Sequence, residues 1–93
     1  MINDESIPKP VEGYRVEEMD GELLLYHPQS TATVYMNNTA ALVWQLCDGS
    51  RETAEIVSIL SESFPDASTS VRQDVIRALE TFTEQGALEV SGV

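Results

Sequence analysis

The apolar positions fall into two regimes. From Tyr14 to Asn37 they follow the short period of strands. Tyr14-Arg15-Val16-Glu17-Glu18-Met19 is partly alternating, and Asp20-Gly21 is a strong hairpin turn signal. Glu22-Leu23-Leu24-Leu25-Tyr26-His27 is apolar on both faces, as a middle strand covered on each side would be. After a loop at Pro28-Gln29-Ser30, a third strand alternates, with Ala32, Val34 and Met36 on one face and Thr31, Thr33 and Tyr35 on the other. The pattern predicts a three-stranded antiparallel meander.

At Asn37 and Asn38, both good helix N-caps, the period lengthens. Thr39 to Cys47 predicts a short helix, apolar nearly all round and therefore buried, with Gly49 as its stop. Ile56, Val57, Ile59, Leu60 and Phe64 give a second helix a wide apolar stripe that Pro65 ends. Asp66, Ser68 and Ser70 compete to cap a third helix, in which Val71, Val75, Ala78, Leu79 and Phe82 share one face. Ile76 lies on a shoulder of that face with Arg72 and Thr83. Gly86 ends the helix, and Ala87-Leu88-Glu89-Val90 either closes the bundle or adds a minor strand. Residues 1–13, with Pro8, Pro10 and three acids, predict a flexible N-terminal tail, leaving 14–93 as the domain. The fold class expected is α+β: a winged helix-turn-helix-like arrangement of a three-stranded antiparallel β-meander followed by three α-helices.

Charge then removes the usual use of that outline. The 93 residues hold 5 Lys and Arg against 16 Asp and Glu, a formal net charge of -11. Nucleic-acid binders draw most of their affinity from cations on phosphates. The third helix offers Arg72 and Arg77, about 140° apart by helix geometry, among Asp74, Glu80 and Glu84. No nucleic acid and no acidic membrane surface is expected as a partner. No apolar run is long enough to span a bilayer, the N-terminus lacks signal-peptide character, and the lone Cys47 fits a reducing compartment, so a cytoplasmic location is expected.

Catalytic chemistry finds no constellation. His27 and Cys47 sit on different elements, no phosphate loop or nucleophile elbow is present, and the acids lack metal-site spacing. Neither a metal nor a cofactor is expected, and Cys47 and Trp44 are expected in the core. What remains is capture of a polypeptide. A short meander leaves an edge strand at Thr31 to Met36, to which a guest segment can add. Ile76, Leu79 and the stem of Arg72, beside Val34 and Tyr35, offer an adjoining apolar wall, although the helical phase of Leu79 lies nearer the core. Val34→Pro is expected to weaken such binding if the Val34 N–H faces the guest. A DNA-binding regulator and a protein-only adaptor subunit are the competing readings. A bare edge allows a monomer or a weak dimer.

The run Val34-Tyr35-Met36-Asn37-Asn38-Thr39-Ala40-Ala41-Leu42-Val43-Trp44-Gln45-Leu46-Cys47-Asp48-Gly49 resembles the PqqD family. So do Leu24-Leu25-Tyr26-His27-Pro28 before it, and Arg51, Glu55-Ile56-Val57, Asp74-Val75, Leu79 and Gly86-Ala87-Leu88 after it. The resemblance runs from about Tyr14 to Val90 and implies a non-catalytic recognition element for ribosomally made, post-translationally modified peptides. It implies a precursor leader peptide held as an extra strand and presented to a modifying enzyme, of the radical SAM type, in this or pyrroloquinoline quinone-type biosynthesis. By position it implies a peptide edge at Thr31, Thr33, Val34, Tyr35 and Met36, with a helix wall including Arg72, Gln73, Ile76 and Leu79.

Overall fold

A computed structural model describes residues 2–29 and 33–91, with side chains for all of these but 67–69. The chain runs β1 (Ile7–Pro10), β2 (Arg15–Met19), β3 (Glu22–Tyr26), β4 (Thr33–Met36), α1 (Asn38–Leu46), α2 (Thr53–Ser63), a 3-10 turn (Pro65–Ala67), α3 (Ser68–Glu84) and β5 (Leu88–Ser91). The α+β class, the antiparallel meander and the three helices are as expected. Among the described residues the strands number five, however, in a three-stranded sheet of order β2-β3-β4 and a two-stranded sheet of β1 and β5.

Local chemistry explains each junction. Asp20 and Gly21 both have positive φ (54° and 81°), the type I′ geometry that suits a two-residue hairpin. Asn37 caps α1, its side-chain oxygen accepting from the Ala40 N–H at 2.8 Å. At the end of α3, the Gly86 N–H donates to the Thr83 carbonyl and the Ala87 N–H to the Phe82 carbonyl, with Gly86 at φ 80°. That paired closure turns the chain back into β5. The sheet's inner face and all three helices meet in one core that includes Leu25, Met36, Val43, Ile56, Leu60, Val75, Leu79 and Phe82. Trp44 packs against it, its ring 5.3 Å from Phe82.

The expectation of a flexible tail over 1–13 does not hold for Ile7–Pro10. These residues form β1 and pair antiparallel with β5, Pro8 opposite Val90 and Pro10 opposite Leu88. The Val11 N–H donates to the Ala87 carbonyl, so Ile7 and Lys9, in step with Val11, face β5. The two prolines fall on the alternate positions, where a missing N–H costs the ladder nothing. Composition could not reveal this, because what anchors the segment is its backbone. Glu52, the residue before α2, makes no side-chain cap. Instead the N–H groups of Thr53 and Ala54 donate to the carbonyls of Ser6 (2.8 Å) and Asp4 (3.1 Å). Two otherwise orphaned helix donors are thereby satisfied. Ser6 and Thr53 are fully buried at this junction, and Thr53 Oγ1 also donates to the Ser6 carbonyl. The alternative left open for Ala87 to Val90 resolves as a strand, with β1 as its partner.

Candidate functional site

β4 is an edge. Among the described residues it pairs with β3 alone, through Leu23↔Met36, Leu24↔Tyr35, Leu25↔Val34 and Tyr26↔Thr33. Which backbone groups it leaves free follows from the hairpin turn. A two-residue loop makes Met19↔Glu22 a hydrogen-bonded pair, and bonded and non-bonded pairs alternate along antiparallel strands. The N–H and C=O groups of Glu22, Leu24 and Tyr26 therefore point to β2, and those of Leu23 and Leu25 point to β4. Val34 and Met36 return those bonds, leaving Thr33 and Tyr35 to present their N–H and C=O groups outward. The sequence-based expectation that Val34→Pro would remove a guest-facing donor depended on the orientation of that N–H. The register turns it toward β3.

Beside this edge, β4 and α3 enclose a cleft of ≈ 170 Å³. Val34, Tyr35 and Met36 form one wall, Asn37, Thr39 and Ala40 close one end, and Asp74, Arg77, Ala78, Thr81 and Phe82 form the other wall. The α3 residues recur at i, i+3, i+4, i+7 and i+8, a single helical face. The floor is apolar, with Met36, Ala78 and Phe82 all buried, and the rim carries charge. Arg77 is exposed and Asp74 half-buried. Among the described residues neither takes part in an ion pair, whereas Arg51 pairs with Asp48 and Glu55, and Arg72 pairs with Asp4.

The expected site residues divide between edge and helix. Thr31 lies outside the described residues. Thr33 and Tyr35 sit at the open edge, with the Tyr35 side chain 71% exposed, while Val34 is half-buried and Met36 buried on the inner face. On α3, none of Arg72, Gln73, Ile76 and Leu79 lines the cleft. Leu79 is fully buried core, Ile76 is half-buried, Gln73 is exposed and Arg72 holds Asp4. The periodicity located the core face of α3 correctly, but a core face has two shoulders. The shoulder with Arg72, Ile76 and Thr83 faces the N-terminal segment, where Ile2 lies against Glu80, Thr83 and Glu84. The cleft uses the other shoulder. Asp74, Arg77, Ala78 and Thr81 were missed because deciding between the two shoulders needed the course of residues 2–10.

The sulfur and imidazole have structural surroundings. Burial, then the charge of the adjacent Asp48, pushes the Cys47 thiol from 9.0 up to about 12. The unfolded chain therefore ionises first, and this thiol's contribution to stability is kept below 9.0 and lost as pH climbs toward about 12. Iodoacetamide at mildly alkaline pH is expected to leave Cys47 unmodified in native protein and to label it fully in urea, read by mass spectrometry. Rapid native labelling would contradict the burial. His27 Nδ1 accepts from the Gln29 N–H at 3.1 Å, and its ring meets Tyr14 edge-on at 5.1 Å. It lies at the end of β3, where the chain turns toward Pro28. Among the described residues no group of three or more His, Cys, Asp or Glu side chains could hold a metal ion, and no helix is long and apolar enough to cross a membrane.

Comparison with known proteins places this arrangement. A family model described as coenzyme PQQ synthesis protein D (PqqD) matches residues 22–88. A PqqA binding protein of Klebsiella pneumoniae is 37% identical over 76 residues, covering 78% of each chain. One from Azotobacter vinelandii is 34% identical over 92 residues, covering 96% of this chain and 94% of the relative. Two solved structures share the fold. The PqqD truncation of Methylobacterium extorquens PqqCD, a stand-alone recognition element for ribosomally synthesised and modified peptides, aligns over 96% of this chain and 95% of its own (TM-score 0.77, 20% identity). TbiB1, solved in complex with the TbiA(beta) leader peptide, aligns over 87% of this chain and 94% of its own (TM-score 0.69, 20% identity). With a family model across residues 22–88 and relatives 34–37% identical over most of both chains, this chain belongs to the PqqD family.

Proposed function

We propose that this protein is a non-catalytic recognition element that captures the leader of a PqqA-type precursor peptide as a strand on β4 and presents it to a modifying enzyme of the radical SAM type. The observation that carries the reading is the open edge of β4, with Thr33 and Tyr35 facing out beside a cleft that has an apolar floor and, among the described residues, an arginine in no ion pair. The frame of an antiparallel sheet and three helices serves a peptide and not DNA, because α3 carries acids among its arginines and no basic face.

Magnitudes say what the guest must bring. Two outward residues offer two N–H and two C=O groups, about 4 kcal/mol in all at roughly 1 kcal/mol net per bond. Micromolar affinity needs about 8 kcal/mol, before association entropy raises the demand. The remainder has to come from side chains in the cleft. An aliphatic side chain over Ala78 and Phe82 contributes roughly 1.5–3 kcal/mol. A carboxylate hydrogen-bonded to Arg77 adds a similar amount. The guest is thus an extended segment with a bulky apolar residue two positions from an acidic one, so that both side chains face the cleft.

Titration calorimetry with a synthetic PqqA-type peptide tests this. Saturable binding is expected in the wild type, and Arg77→Glu is expected to weaken it at least about tenfold by setting two like charges together. Arg72→Glu, on the other shoulder, is expected to leave it within about twofold. Equal losses in the two variants would reduce the effect to net charge and remove the cleft from the account.

A further inference from the structure

The run Leu23-Leu24-Leu25-Tyr26 predicts a strand covered on both faces, and only one of its faces belongs to the core cluster. Leu23 and Leu25 point into the core, and Leu25 is fully buried. Leu24 and Tyr26 point the other way, are half-buried, and stand outside the core cluster. Cross-strand partners share a face, so Glu17, Leu24 and Tyr35 form one row across the outer surface, with Met19 and Glu22 in the next. Met19, Leu24 and Tyr35 line one shallow depression together with Asp20 and Glu22. Met19 is 54% exposed and Tyr35 71%. The solvent face of an antiparallel sheet is ordinarily polar, and an apolar centre with a charged rim marks a docking surface.

We infer that the outward face of the β2-β3-β4 sheet docks a protein partner whose contact surface is basic around an apolar residue. The rim decides the partner's chemistry. Glu17, Asp20 and Glu22 surround the apolar centre, and Arg15 is the sole base between residues 15 and 26. A second copy of this chain would bring the same acids against themselves, and an anionic bilayer would be repelled. A cationic protein surface meets this face with complementary charge. For the partner's identity the inference rests on the peptide-presenting reading above, and the partner is then the modifying enzyme. Tyr35 links the two surfaces, since its backbone faces the open edge and its side chain the outer face. An enzyme seated on this face would lie alongside the strand to which the leader adds.

The test uses the full chain, a synthetic PqqA-type peptide and the purified radical SAM enzyme that processes such a precursor, with each affinity measured separately. Wild-type protein is expected to bind the enzyme, more weakly as salt rises from about 50 to about 500 mM. The double variant Met19→Ser, Glu22→Lys is expected to lose at least about tenfold in enzyme affinity and to keep its peptide affinity within about twofold. Glu17→Lys serves as a second variant should the double variant fold poorly. No wild-type binding to the enzyme, unchanged enzyme affinity in folded variants, or an altered self-association instead would overturn the inference. The two readings fail separately: Tyr35→Pro probes the leader edge, so intact leader binding there, alongside lost enzyme binding in the face variants, would remove the edge assignment and leave the docking face standing.

Discussion

Replacing Tyr35 by proline is expected to cut leader-peptide affinity at least about tenfold, equivalent to about 1.4 kcal/mol, while the protein stays folded. The substitution removes an N–H that points away from β3, so no bond of the protein's own ladder is lost, and edge strands tolerate proline there. In the complex the same change deletes a donor and leaves a guest carbonyl unpaired, which costs more than the net value of one bond. Tyr35→Ala separates backbone from side chain. It keeps the donor and the backbone that lines the cleft and removes a side chain on the outer face of the sheet, so peptide affinity is expected to stay within about threefold of wild type. Val34→Pro is expected to behave oppositely, breaking a bond to Leu25 and lowering the melting temperature. Tyr35→Pro with wild-type peptide affinity, or Val34→Pro with wild-type stability, would invert the register argument.

Leu79→Ala is expected to have the largest effect on stability and almost none on recognition. Leu79 is fully buried and belongs to the central cluster. Truncation of a buried leucine costs about 2–5 kcal/mol through lost burial and the cavity left behind. A domain of this size has about 5–15 kcal/mol to lose. The melting temperature is therefore expected to fall by at least about 10 °C, followed by circular dichroism. Peptide affinity measured well below the new midpoint is expected to match the wild type. A small thermal shift combined with weakened binding would return Leu79 to the binding wall.

The sequence was legible wherever local patterning decides the structure. Asp20-Gly21 announced the hairpin, Asn37 the start of α1, Gly86 the end of α3, and the face with Val71, Val75, Ala78, Leu79 and Phe82 the core side of that helix. Thr33 and Tyr35 could be placed on one face of an edge strand by period two alone. Long-range backbone contacts were not legible. Nothing in Asp4-Glu5-Ser6-Ile7-Pro8-Lys9-Pro10 signals that the carbonyls of Asp4 and Ser6 cap α2 or that the N–H groups of Ile7 and Lys9 meet β5, because those bonds carry no side-chain signature. The preference for the Arg72 shoulder of α3 has the same origin. With residues 2–4 taken as solvated, nothing covers the shoulder with Arg72 and Ile76. Once Asp4 and Ile2 occupy the first, the cleft is confined to the second.

Amide hydrogen exchange followed by NMR, with and without a saturating PqqA-type peptide, reads the central claim residue by residue. In the free protein the amides of Val34 and Met36 are expected to exchange slowly, and those of Thr33 and Tyr35 quickly. Adding the peptide is expected to slow Thr33 and Tyr35 selectively. Fast exchange persisting at both of these amides under saturation, with new protection elsewhere, would mean the guest does not extend this sheet.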